Sequence, residues 1–111
     1  MSARPTLALV IPAWNAARFL PALFDSIAVQ SEPFDEIVLC DDASADETAA
    51  LAESFGARVI RHAHNAGCSA AKNTGLAGVQ SEWVHFQDAD DLLLPRFAQA
   101  ARDAVSDLID A

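Results

Sequence analysis

Basic residues are scarce in this chain: seven Lys and Arg face sixteen Asp and Glu, for a formal net charge of −9. That balance excludes the basic face a nucleic-acid partner requires, and it disfavours an anionic membrane surface. A phosphorylated ligand would need a divalent cation as mediator, although most of the acids serve solubility. Cysteine is limited to Cys40 and Cys68, too few for a disulfide framework or a zinc site. Cys40 lies in an apolar run and reads as a small core residue; Cys68 falls near a helix start, where thiols gain reactivity. Glycine-rich phosphate loops are missing too. No Gly-x-Gly-x-x-Gly follows the first apolar run and no Gly-Lys-Ser or Gly-Lys-Thr occurs, which excludes the dinucleotide and P-loop readings. There is no apolar run of membrane-spanning length and no signal-peptide pattern, so a cytoplasmic location is the expectation, membrane-peripheral at most.

What is present is a core. Hydrophobic residues make up 52% of 111, enough for one domain or part of one. Leu7-Ala8-Leu9-Val10-Ile11 is continuously apolar, as in a strand buried on both faces of a parallel sheet. Pro21 suits a first helical turn, and Phe19, Leu20, Leu23, Phe24 and Ile27 recur at helical spacing. Pro33 breaks the chain before a second strand, Glu36 to Cys40. Ser44 and Glu47 read as a capping box for a helix reaching Phe55, which Gly56 closes in a left-handed conformation. Arg58 to Arg61 is a short edge strand. His62 and His64 read as solvated loop histidines. Cys68 to about Ala77 is a helix of small residues, weakened by Gly75 but suited to close packing on a sheet. Trp83 to Phe86 is a buried strand, and Pro95 opens the last helix. Four strand–helix units predict an α/β, Rossmann-like three-layer sandwich with a mainly parallel sheet and right-handed crossovers, in strand order 3-2-1-4. The switch point of that order lies between strands one and four.

Acids gather at the carboxyl ends of these strands, where open α/β sheets bind ligands. Asp41 and Asp42 end the second strand; Asp88, Asp90 and Asp91 follow the fourth. In an extended segment Asp88 and Asp90 face one way, with Cα atoms ~6.5–7 Å apart, a reach suited to a hard divalent cation. Asp-rich turns are common on their own account, and Asp41 reads as capping its turn. Asp91 reads as a cap for the following helix. Trp14 offers a flat face for a base or sugar, with core packing as the alternative. A phosphoacceptor receiver domain is a rival of similar length. It would want acids after strand one and a phosphoacceptor Asp after strand three, where Asn15 and His62 stand. A non-catalytic nucleotide-binding module is a third reading.

Four stretches, Val10 to Asn15, Ile37 to Asp46, Asn65 to Asn73 and Asp88 to Asp91, resemble family 2 glycosyltransferases in order and spacing. The resemblance covers Leu7 to about Phe97. It implies a GT-A fold, with residues 1–111 as the nucleotide-diphospho-sugar-binding half of a larger, truncated transferase domain. It implies a donor, most often a UDP-sugar, bound with Mg²⁺ or Mn²⁺ and transferred to a hydroxyl acceptor such as a saccharide. Position by position, Pro12, Ala13, Trp14 and Asn15 would line the nucleoside pocket. Asp42 would contact the base, and Lys72, Asp88 and Ala89 would complete the nucleotide site. Asp88 and Asp90 form the Asp-x-Asp motif, with Asp90 the direct metal ligand. Trp14 stands where Tyr is usual, Ala43 for Gly and Lys72 for Arg. Inverting members take their general base from the acceptor half, expected beyond Ala111, so the 111 residues alone are expected to be inactive. Self-association through an uncovered sheet edge is a further expectation.

Overall fold

The computed structural model describes residues 4–110. Four parallel strands, β1 (Leu7–Ala13), β2 (Glu36–Asp41), β3 (Arg58–Arg61) and β4 (Trp83–Phe86), form one sheet in the order β3-β2-β1-β4. The helices are α1 (Leu20–Ala28), α2 (Thr48–Ser54), α3 (Cys68–Ala77) and α4 (Phe97–Asp110). The α/β, Rossmann-like class and the 3-2-1-4 order expected from the apolar runs are both observed. Every residue of β1 is buried. Leu7, Leu9, Ile11 and Ala13 point into one core with Leu20, Leu23, Phe24, Leu39, Ala52 and Ala98 from α1, β2, α2 and α4. The alternate residues face α3, as the period of two requires. Among the described residues no helix is long and apolar enough to cross a membrane.

The seat of α3 is set by a missing side chain. A methyl group at Gly75 would stand 2.5 Å from Val10 Cγ1, and Val10 is fully buried. The amino ends of the strands are clamped by α4. Arg102, 5% exposed, donates from Nε to the Pro5 carbonyl at 2.9 Å and from its terminal nitrogens to Glu32 at 3.2 Å and Asp35 at 2.6 Å. Asp35 also accepts the Leu7 N–H at 2.7 Å. Burial pushes the Asp35 carboxyl up, but the Leu7 N–H and the Arg102 guanidinium outweigh it and hold it below the ordinary value.

Three expectations give way. β4 is not buried: Trp83 is 37% and Phe86 38% exposed, because β4 is a sheet edge among the described residues. The capping box does not form. Glu47 stands at the N-cap without a side-chain bond, and the Ser44 hydroxyl bonds instead to the buried Asp41 carboxylate. Asp46 serves α2 in its place, accepting the Thr48 N–H at 3.0 Å. Finally, α4 begins at Phe97, so Pro95 lies in the preceding turn and Asp91 is too distant to cap it.

Two outcomes are expected. Gly75→Ala lowers stability by about 1–3 kcal/mol in a denaturant melt, since overpacking against a β-branched core residue exceeds the about 1 kcal/mol helix gain. The depressed Asp35 carboxyl contributes stability that is complete above the unfolded-state value and lost as pH falls through the lower folded-state one. Asp35→Asn should therefore be less stable at neutral pH and show a flatter loss of stability below about pH 4, read from unfolding midpoints across pH.

Candidate functional site

The sheet ladder continues past the strand ends and fixes the rim. Asp42 N–H donates to the Ala13 carbonyl at 2.8 Å, His62 N–H to Asp41 at 2.8 Å, and Gln87 N–H to Val10 at 2.9 Å. The β1 and β2 loops are tied together. Asn15 N–H donates to Ser44 Oγ at 2.9 Å and Ala45 N–H to Asn15 Oδ1 at 2.8 Å. Both loops hold a residue at positive φ, Asn15 at 48° and Ala43 at 60°. Asn tolerates that region; Ala occupies it against its usual preference, which accounts for glycine being the more natural residue there.

A cavity of about 410 Å³ opens on this rim, lined by Pro12, Ala13, Trp14, Asp42, Asn65, Gly67, Cys68 and Ala71. Its size and mostly apolar wall suit a small organic ligand. Asp42 is its buried acid, 3% exposed. Oδ1 accepts from His62 Nδ1 and Ala66 N–H, each at 2.8 Å, and Oδ2 accepts from Gly67 N–H at 2.8 Å. Burial raises the carboxyl, but the His62 bond, then those of Ala66 and Gly67, outweigh it and hold the pKa below its ordinary value. Asp42 is therefore ionised. Nearby, burial and the charges of Asp42 and Asp41 push the Cys40 thiol up to about 11, which leaves it an inert core thiol. Asp41 accepts from Ser44 N–H at 3.2 Å, the turn-capping role expected of it.

His62 corrects the sequence reading. It is no solvated loop histidine: its side chain is 17% exposed and bonds through Nδ1 to Asp42 and through Nε2 to Thr74 Oγ1 at 2.7 Å. The signal available was its place directly after β3, at the rim beside Asp42. His64 is exposed, as expected.

A second cavity of about 370 Å³ shares Pro12 and Trp14 with the first and adds Ala16, Phe19, Asp88, Ala89 and Asp90. Trp14 is 58% exposed, which rules out core packing and leaves its indole as a wall common to both. The acids after β4 are not in an extended segment. Asp91 N–H donates to the Asp88 carbonyl at 3.1 Å, closing a turn that brings carboxylate oxygens of Asp88, Asp90 and Asp91 within 4.8 Å of one another. All three are exposed, and among the described residues none is in an ion pair. Three hard oxygen donors so placed fit Mg²⁺ or Mn²⁺. Lys72 and Asn15 line neither cavity; the Lys72 ammonium lies 5.9 Å from the Phe86 ring centre, at the end of β4.

Residues 8–107 match the sequence model of the family described as glycosyl transferase family 2. An uncharacterised glycosyltransferase of Rickettsia typhi is 30% identical over 92 residues, covering 82% of this chain and 29% of the relative. Glycosyltransferase GlyA of Streptococcus pneumoniae is 34% identical over 89 residues, covering 77% of this chain and 13% of the relative. The chain thus spans less than a third of these relatives' length. Among solved structures, S. aureus TarS in complex with UDP superposes with a TM-score of 0.86 at 25% identity, over 92% of this chain and 32% of that one. The mannosyltransferase PcManGT of Pyrobaculum calidifontis, in complex with GDP-Man and Mn²⁺, gives 0.81 at 27% identity, over 94% and 32%. The receiver-domain alternative falls with these matches. The chain belongs to glycosyl transferase family 2.

Proposed function

We propose that residues 1–111 are the donor-binding half of a glycosyltransferase, holding a nucleotide-diphospho-sugar, a UDP-sugar first, for transfer to an acceptor hydroxyl. One observation carries this reading: two adjoining cavities share Pro12 and Trp14, with a buried ionised acid in one and a free carboxylate cluster beside the other. In the first cavity Asp42 accepts a hydrogen bond from the base and Trp14 stacks on the ring. Asn15 acts through its bond to Ala45, holding the Trp14 loop against the β2 loop. Asp88 and Asp90 hold Mg²⁺ or Mn²⁺, with Asp91 close enough to join them; the ion would stabilise the charge of the leaving diphosphate. Ala89 lines the diphosphate cavity between the two acids, and Lys72 on α3 would reach the phosphates only by leaving the Phe86 ring. UDP in TarS, and GDP-Man with Mn²⁺ in PcManGT, support this ligand class.

Transfer is proposed to invert the sugar, with a general base and an acceptor surface supplied from outside these residues. None of Asp88, Asp90 and Asp91 is assigned as that base, since these carboxylates would hold the ion.

Titration calorimetry should show UDP binding in Mn²⁺ that is lost in EDTA. Asp90→Asn should weaken it by about tenfold or more, while equal binding in EDTA would count against the metal-bridged site. Incubated with labelled nucleotide-sugars and acceptors, the 111 residues should form no glycosidic product, since a general base alone contributes ~10²–10⁴ in rate. Product from them would place the base among the acids named above and overturn the division of roles.

A further inference from the structure

We infer that His62 is a positioning residue for base recognition, holding Asp42 so that its carboxylate keeps one acceptor site for a base that brings a ring N–H. This rests on the assignment of Asp42 to the base in the proposed function. An ionised carboxylate accepts only, at about four sites on its two oxygens. His62 and Ala66 fill two on Oδ1, and Gly67 fills one on Oδ2. One site remains, on Oδ2.

The three donors come from different parts of the fold. Ala66 and Gly67 lead into α3, and Gly67 adopts φ 99° at its entrance. His62 follows β3 and is anchored by its own backbone bond to Asp41. Because Asp42 can only accept, the bond between them needs the proton on His62 Nδ1. Nε2, left without a proton, then accepts from the Thr74 hydroxyl at 2.7 Å, with the Cys40 thiol 3.6 Å away, and Thr74 on α3 fixes the orientation of the imidazole ring. The chain Thr74–His62–Asp42 thus fixes both the rotation of the carboxylate and which of its lone pairs is free.

Selectivity follows from that count. Uracil N3–H and guanine N1–H are donors, and either can enter the open site. Cytosine N3 and adenine N1 are bare acceptors, and would set lone pair against lone pair. Without His62 a second acceptor site opens on Oδ1 and the carboxylate gains freedom to turn. An exocyclic amino group could then be met, so the preference for UDP over CDP narrows.

The test is calorimetry in Mn²⁺ with UDP, CDP and inorganic diphosphate. The unaltered chain should bind UDP more tightly than CDP. His62→Ala should weaken UDP by roughly tenfold, shrink the UDP-to-CDP ratio and leave diphosphate unchanged. His62→Asn, whose amide N–H reaches the position of Nδ1, should restore the ratio. If His62→Ala does not fold, Thr74→Val keeps the imidazole and should still narrow the ratio. Nitrogen-15 NMR of the unaltered chain should show the His62 Nδ1–H tautomer. An Nε2–H tautomer, an unchanged ratio in the variants, or a parallel fall for UDP and diphosphate would overturn the inference. Equal UDP and CDP binding by the unaltered chain would overturn it alone, whereas no UDP binding at all would overturn the proposed function with it.

Discussion

The burial of β1 is the constraint on which the rest depends. All seven of its residues are withdrawn from water, and a strand so placed must pair its backbone on both edges. β2 and β4 supply those partners, in parallel, so the crossovers are forced over the faces and the connection to β4 must pass by way of α3 on the far side. Burying each large side chain contributes about 1.5–3 kcal/mol. Exposed pairs such as Arg61–Glu53 and Arg4–Asp103 contribute little beside that, since water screens them. The apolar register therefore decides where the strands end, and the carboxyl rim inherits its geometry from that register.

The rim carries two populations of acids with opposite treatment. Asp42, which is buried, and Asp46, which is exposed, each accept hydrogen bonds that outweigh desolvation and hold their carboxyls below the ordinary value. Asp46 accepts from both Ala17 and Thr48, which turns a charge into a bracket between the β1 loop and α2. Asp88, Asp90 and Asp91 have no such counterweight. Like charges this close repel by about 1 kcal/mol per pair even in water, yet the Asp88–Asp91 turn draws them together rather than letting them spread. Local structure that works against stability in this way is where the proposed metal site falls.

How much of this was legible in the sequence follows from the range of the interactions involved. β1, β2 and the span of α3 were legible because continuous apolar runs and small-residue helices are local signals. The 3-2-1-4 order followed from four strand–helix units. The exposure of β4 was not: Trp83, Val84 and Phe86 read the same whether or not a further strand lies outside them. Alternation of Asp88 and Asp90 suggested an extended segment, because a turn closed by the Asp91 N–H leaves no mark on side-chain spacing. Ser44 and Glu47 had the spacing of a capping box, but Asp41, three residues earlier, competes for the same hydroxyl. His62 was hardest to read. Its partners lie 12 and 20 residues away, and only the folded sheet brings β3's end beside β2's.

The site is nevertheless not independent of the core beneath it. α3 supplies the Thr74 hydroxyl to His62, and its entrance supplies two amides to Asp42, all at 2.7–2.8 Å. These distances exist only if α3 lies close against the sheet. It does so because Gly75 offers no Cβ to Val10, whose methyl group occupies that space. Hydrogen bonds weaken steeply once heavy atoms separate beyond about 3.2–3.5 Å, so lifting α3 by about 1 Å would loosen the Ala66 and Gly67 amides on Asp42 and the Thr74 bond that orients His62. A glycine in the last turns of the helix thus helps hold the carboxylate at the rim in the geometry the cavity presents. The weak helix propensity of α3, with Gly75 in its last turns and Gly78 at its end, is what that close approach requires.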